Sequence, residues 1–470
     1  MEDSNRNCLP EEVTLNIFSR LPVETVLDCK LVYKAWRNLI RLHGNTNYFA
    51  YQHLERRHPA EPNHGDGSDC APMSFVFFDC SAEPNQGPQE LYYAEYQEDN
   101  EISDPKFSIK KIKINFDFQQ DIFGIVGSCN GVICLSVCTK FKTHASRSLN
   151  PGDGPREPLY ICNPITREIL NLPGLSIPHE KQIKGVRIAH GFGYHPLTNE
   201  YKVVRICYIG DLDKPSKGQV EVYTLGSGKG WRHICETSYN LCSYSTYSGT
   251  PSGVLFNGAL HWLHMGSDGI MEMLAFDLHR ENFDVLPTPE SRFEQYYRTS
   301  RLRIIRGRLC HVSQHFERVG SWGVSRVLDL WFLKNNNKEM TSSSTYPKEQ
   351  YEYKYSWLTG CSHWAPNMLF ACTSKGEALM AKHGKVYRLK NRGKRIPERK
   401  RRPIRTWEIN KNNQKSCVEP IPHINSFVSL KALGERSAKI FEESPDGDHM
   451  LISSGRATKR FNKSAAATSL

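Results

Sequence analysis

Residues 125–137 read IVGSCNGVICLSV, two apolar runs joined at Asn130-Gly131. An Asn-Gly pair between apolar runs signals a β-hairpin, because both residues accept the positive φ that a type I′ turn demands. Related patterns return as GVLFNGALHWL at 253–263, with Asn257-Gly258, as RIIRGRLCHV at 303–312 and as CTSKGEALMA at 372–381. Behind each comes a strand–polar turn–strand unit: LYICNPITREILNLP, MLAFDLHRENFDVLP, LDLWFLK, and KVYRL with TWEI. The first two leave through Leu172-Pro173 and Leu286-Pro287. One more unit, GFGYHPLTNEYKVVRICYI with VEVYTLGSGKGWRHI, bridges the widest gap between the glycines at 131, 258, 307 and 376. Together they make a repeat of roughly 50–70 residues, each worth about four strands.

Strand units at this period predict a β-propeller, in which each blade buries its faces against its neighbours. A β-sandwich with additions is the other architecture that the strands allow. Adding the weaker strands at 74–79, 91–96 and 107–116 as a first blade gives about six blades. FVSL at 427–430 is expected to supply the strand that closes the ring and leaves no free edge. The all-β domain is therefore placed at 74–433, behind a polar Pro-, His- and Gly-rich connector at 46–73. Residues 434–470 read as a disordered tail.

The stretch at 9–40, LPEEVTLNIFSRLPVETVLDCKLVYKAWRNLI, has a different period. Val13, Ile17 and Phe18 fall at i, i+4 and i+5, and Val23, Val26 and Leu27 at i, i+3 and i+4. Trp36, Leu39 and Ile40 repeat that spacing. Pro10 suits a helix start, Glu11 and Glu12 complement its positive end, and Leu21-Pro22 breaks it. Three short helices are expected within residues 1–45, too few to be stable alone. Their stripe either caps the following domain or is half of an interface with another protein; an all-β remainder offers no helical layer to receive it. The fold class is α+β by domain: a small three-helix module and then the propeller.

Composition sets the bounds. The 470 residues are 39% hydrophobic and 24% charged, ordinary globular values. No run approaches the ~18 apolar residues of a membrane span. The start MEDSNRNCLPEE is polar and acidic, unlike a signal peptide. The 15 cysteines are then expected as reduced thiols, with the protein in the nucleus and/or cytoplasm. The net charge of +11 is uneven: RLKNRGKRIPERKRRPIR at 388–405 has ten basic residues and one acidic, or +9, which leaves +2 for the other 452. Cations gathered in one loop do not form an extended nucleic-acid footprint. Lys394-Arg395 and Arg399-Lys400-Arg401-Arg402 have the form of a nuclear-localisation signal; the loop could also hold an acidic protein segment, or simply be solvated.

Motifs for chemistry are absent. There is no GxSxG, no HExxH and no phosphate loop, and Gly-Ser-Gly-Lys-Gly at 226–230 lies between two strands and reads as a hairpin. Cys129, Cys134 and Cys138 lack paired spacing, and His261 and His264 point to opposite faces of a strand, so neither metal nor cofactor is expected. Trp231, Trp262, Trp331, Trp357 and Trp407 recur at strand units, where packing between blades is the expected role.

The helical stretch resembles the F-box. The family pattern has Leu-Pro at both ends of the first helix, here Leu9-Pro10 and Leu21-Pro22. Val23, Val26-Leu27, Lys30, Val32, Lys34 and Trp36 follow in its order; Tyr33 departs, where relatives usually carry Cys. NPITREILNLP, GFGYHPLTNEYKVV, VLFNGALHWL and LAFDLHRENFDVLP are similar to the F-box-associated interaction domain of plant F-box proteins, a kelch-like propeller. The resemblance runs from about residue 105 to 433, and the basic loop is its departure.

It implies a non-catalytic substrate receptor of an SCF-type ubiquitin ligase. The F-box would bind a Skp-family adaptor, and through it a cullin–RING ligase, while the propeller holds an unknown protein target. Adaptor contact would fall to Leu9, Pro10, Ile17, Leu21, Pro22, Val23, Val26, Leu27, Val32 and Trp36. The alternatives are a nuclear scaffold or nucleic-acid-associated protein that uses the basic loop, and a propeller hydrolase, for which no carboxylate cluster can be placed.

Overall fold

The computed structural model describes residues 9–44, 47–57, 73–78, 91–98, 106–112, 123–137, 159–175, 186–209, 217–241, 252–266, 271–289, 299–319, 323–334, 351–359, 368–382, 385–389, 405–408 and 420–440. Four helices come first: α1 (Glu11–Phe18), α2 (Val23–Val32), α3 (Lys34–Gly44) and α4 (Asn47–Arg57). The fourth lies where a connector is expected from residue 46. No described helix is long and apolar enough to cross a membrane.

The strands fall into six antiparallel groups. The first holds β1 (Met73–Phe78), β2 (Leu91–Gln97) and β3 (Lys106–Ile112). The second holds β4 (Phe123–Cys129), β5 (Val132–Val137), β6 (Leu159–Asn163) and β7 (Glu168–Asn171). The third holds β8 (Val186–His195), β9 (Glu200–Ile209), β10 (Gly218–Thr224) and β11 (Trp231–Thr237). Then come β12 (Ser252–Phe256), β13 (Ala259–Met265), β14 (Met271–Asp277) and β15 (Asn282–Pro287). The fifth group is β16 (Thr299–Ile305), β17 (Arg308–Val319), β18 (Gly323–Leu333) and β19 (Tyr351–Thr359). The sixth is β20 (Met368–Cys372), β21 (Ala378–Lys382), β22 (Lys385–Leu389) and β23 (Arg405–Glu408). Two short strands follow, β24 (Ile421–Pro422) and β25 (Lys439–Ile440).

Side-chain packing closes these groups into a ring. Alternate residues of a strand face opposite sides, and in β5 Val132 and Cys134 pack toward the third blade while Ile133 and Leu135 pack toward the first. In β14, Leu274 and Phe276 meet the third blade, and Met273 and Ala275 meet the fifth. Val312 and Leu330 of the fifth blade join Cys372 and Met380 of the sixth. Leu379 and Val386 of the sixth then join Phe75 and Tyr96 of the first. The described strands thus form a propeller-like ring of six blades, not a sandwich. The apolar runs lack polar alternation because both faces of each blade are covered.

The turns behave as their residues dictate. Asn130 and Gly131 have φ 49° and 81°, Asn257 and Gly258 47° and 72°, and Arg306 and Gly307 54° and 69°. Between the third and fourth blades, β8 and β12 pair in parallel at Gly191 and Gly253. A Cβ on Gly253 would lie 2.5 Å from the Trp262 ring, and Trp262 Nε1 donates to His190 O at 3.2 Å. Trp262 and Trp357 are buried between blades, and Trp231 and Trp331 are half-buried. The side chain of Trp407 lies outside the described residues.

Ring closure differs from the sequence expectation. The strand that pairs with β1 is β24, in register Phe75↔Pro422 and Val76↔Ile421. Residues 427–430 form no strand; they are apolar because they are buried between the helices and the second blade. Proline is tolerated in β24 because this strand forms the edge of its sheet. The expected tail beyond 433 is also ordered as far as Ile440, since β25 pairs with β7. The basic loop connects the paired strands β22 and β23.

Candidate functional site

The two Leu-Pro pairs do equivalent work. Pro10 caps α1 and Pro22 caps α2, each with extended backbone (φ −49° and −53°). A residue without an N–H is suited to this place, because the first amides of a helix lack partners within it. Thr14 N and Oγ1 both donate to Pro10 O, at 3.0 and 3.2 Å. Helix α1 stops at Phe18, so Arg20 lies beyond the last turn; its Nε donates to Asn16 Oδ1 at 3.0 Å.

The helices have two apolar faces. One is buried within the chain: Phe18, Val23, Val26, Leu39, Ile40, Phe49, Ala50 and Leu54 share a cluster with Val132, Leu159, Phe192 and Phe427. Val23 and Val26, expected at a partner interface, are 0% exposed, so they belong to the chain's own core. The propeller provides the surface that receives this half of the stripe, although it offers no helical layer. Leu21, Leu27 and Trp36 are half-buried against the same cluster, and His53 Nε2 donates to Leu21 O at 2.8 Å. Trp36 is held edge-on by Phe18 and Tyr33, at 5.7 and 5.8 Å between ring centroids.

The other face is open. Leu9 is 58% exposed, Ile17 42% and Val32 75%, with Pro10 and Pro22 also exposed. Val13, Leu31, Tyr33, Leu42 and Tyr48 are exposed apolar side chains that the sequence reading left out of the interface. Val13 lies four residues before Ile17, and that period was the signal that could have included it. Lys394, Arg395, Arg399, Lys400, Arg401 and Arg402 lie outside the described residues.

Burial pushes the Cys129 and Cys162 thiols up to about 12, so they stay protonated at neutral pH. Among the described residues no three His, Cys, Asp or Glu side chains are grouped to hold a metal ion. What the helices offer is an apolar surface, and its chemistry is that of docking.

Comparison with known proteins agrees with both halves. The F-box domain profile matches residues 7–48, and that of the F-box associated beta propeller domain matches residues 80–384. The Arabidopsis thaliana F-box protein At3g07870 is 27% identical over 347 residues, covering 69% of each chain. F-box protein At3g49450 of the same plant is 26% identical, over 72% of this chain and 73% of its own length. F-box protein DOR, also from Arabidopsis thaliana, is 26% identical over 60% of this chain and 62% of its own. With an F-box in front and more than half its length in the second match, the chain belongs to the F-box proteins that carry an F-box associated beta propeller domain.

Proposed function

We propose that this protein is the substrate-recognition subunit of an SCF-type ubiquitin ligase. Its open helical face docks on a Skp-family adaptor, and the adaptor links it to a cullin–RING scaffold. The propeller holds a target protein, and ubiquitin transfer gains from the raised effective concentration of that target at a thioester carried elsewhere. In this reading the chain supplies no nucleophile, acid or base. The observation that carries it is the exposed apolar surface at Leu9, Ile17 and Val32 on an F-box whose opposite face is already filled.

Exposure decides which residues test the proposal. Leu21 and Pro22 serve the fold as well, through His53 and the α2 cap, whereas Ile17 and Val32 are free to change. Each large apolar side chain covered by a partner contributes about 1.5–3 kcal/mol. The double variant Ile17→Asp, Val32→Asp is therefore expected to weaken adaptor binding by at least about a hundredfold at an unchanged melting temperature. Undiminished adaptor capture by the folded double variant would overturn the assignment.

A further inference from the structure

We infer that residues 423–435 form an internal strap that fixes the F-box helices on the propeller, which makes Phe427 and Asn425 positioning residues for the open helical face. A fixed orientation of the helices on the propeller requires packed contacts. The blades supply part of them directly, as where Tyr51 of α4 stacks on Tyr194 at 6.3 Å, and the other end of the chain supplies the rest.

On its helix side, the strap presents Phe427 between three side chains of the F-box region. The rings of Phe49 and His53 lie 5.6 and 5.4 Å from its centroid, and Lys30 Nζ stands 5.8 Å over it. Asn425 Nδ2 donates to Glu24 Oε1 of α2 at 2.8 Å. Asn47 of α4 completes a reciprocal pair: its Oδ1 accepts from Ser429 N at 2.9 Å, and its Nδ2 donates to Ser429 O at 3.4 Å.

On its propeller side, the strap crosses successive hairpin turns. His423 Nδ1 and Ser128 Oγ of β4 are hydrogen-bonded at 2.7 Å. Asn163, at the end of β6, donates to Ser426 O and Val428 O at 3.1 and 2.7 Å. The carboxylate of Glu168 accepts from Ser429 Oγ and Leu430 N, and that of Glu435 accepts from Gly226 N. Buried polar groups satisfied in this way hold one arrangement, since any other would leave them without partners. The strap therefore has contacts on both sides, and it adds to the direct packing of helices on blades a set of polar anchors about four hundred positions away in sequence.

The inference about orientation stands on these contacts alone; its bearing on ubiquitination rests on the adaptor reading. Full-length wild type, Phe427→Ala, the helix-side double variant Glu24→Ala, Asn47→Ala, and Glu24→Gln are compared by amide hydrogen exchange. In Phe427→Ala and in the double variant, exchange in α1–α4 should rise by at least about tenfold while β4–β11 stay protected. Glu24→Gln keeps an acceptor for Asn425 and should match wild type. Unchanged protection of α1–α4 in the double variant would overturn the strap, as would equal losses in the helices and β4–β11. The double variant leaves every propeller contact in place, so it decides the matter even if Phe427→Ala unfolds. Titration of wild type with a Skp-family adaptor runs beside it: no binding would overturn the adaptor reading and leave the exchange comparison standing.

Discussion

The helical module carries two sets of apolar side chains with opposite fates. Val23 and Val26 are wholly covered by the chain, while Leu9 and Val32 are 58% and 75% exposed. Spacing at i, i+3 and i+4 shows that a helical face is meant to be buried. It does not say by what. The difference teaches that helical spacing marks apolar positions without saying which of them the chain itself will cover.

Three perturbations would break or sharpen that contrast. The largest effect is expected from Val26→Asp, which places a carboxylate without a partner in the core and should cost about 3–5 kcal/mol. Thermal unfolding and limited proteolysis should show α1–α4 lost, where aspartate at Ile17 leaves them folded. An unaltered melting profile for Val26→Asp would erase the distinction between the faces.

A smaller effect separates two glycines of one turn. Gly226 has φ 77°, and a Cβ there would lie 1.7 Å from Leu433 O of the strap. Gly228 has φ 67° and nothing within 4 Å. Both alanine variants carry the conformational cost of about 1 kcal/mol, and Gly226→Ala should lose roughly 2 kcal/mol more through the collision. Equal urea midpoints for the two would show that the strap backbone yields at no cost.

The smallest effect concerns pH. Burial pushes His261, His311 and His423 down to about 4 from the ordinary 6.5, so the fold holds them neutral. The unfolded chain takes up protons as pH falls through 6.5, so stability is complete above that value and declines toward 4. Each imidazole contributes about 1 kcal/mol per pH unit to that decline. His311 is clearest, because neither ring nitrogen has a hydrogen-bond partner among the described residues. His311→Leu should reduce the stability loss between pH 6.5 and 5.5 by about 1 kcal/mol, read from urea midpoints. An unchanged slope would show that the ring is reached by water.

Much of the fold was legible in the sequence where local chemistry decides the structure. Asn130-Gly131 and Asn257-Gly258 are the turns their residues demand, and the repeat they punctuate is the blade. Helix α4 escaped notice because His53 stands in the middle of its buried face, between Phe49, Ala50 and Leu54. The imidazole is buried there by its bond to Leu21 O, a partner on another helix. Residues 427–430 read as a closing strand because an apolar run bounded by polar residues has that pattern whether or not it pairs. Glu435 looked like part of a solvated tail; a carboxylate buried against Gly226 N leaves no local pattern. Of the candidate interface, the F-box pattern pointed to the helices, and exposure separates the apolar side chains left open from those in the core.

The pairing of β24 with β1 joins Val76 to Ile421. The first blade therefore gains this strand only after residue 422 has left the ribosome. Residues 427–430, which cover the inner face of the helices, emerge later still. During synthesis Val23, Val26, Phe49 and the edge of β1 wait uncovered, and such surfaces are where nascent chains aggregate. Contacts of such sequence separation also form slowly, because loop closure precedes any gain from them. A premature stop shortly before residue 421 therefore removes both the strand that pairs with β1 and the apolar segment that covers the helices.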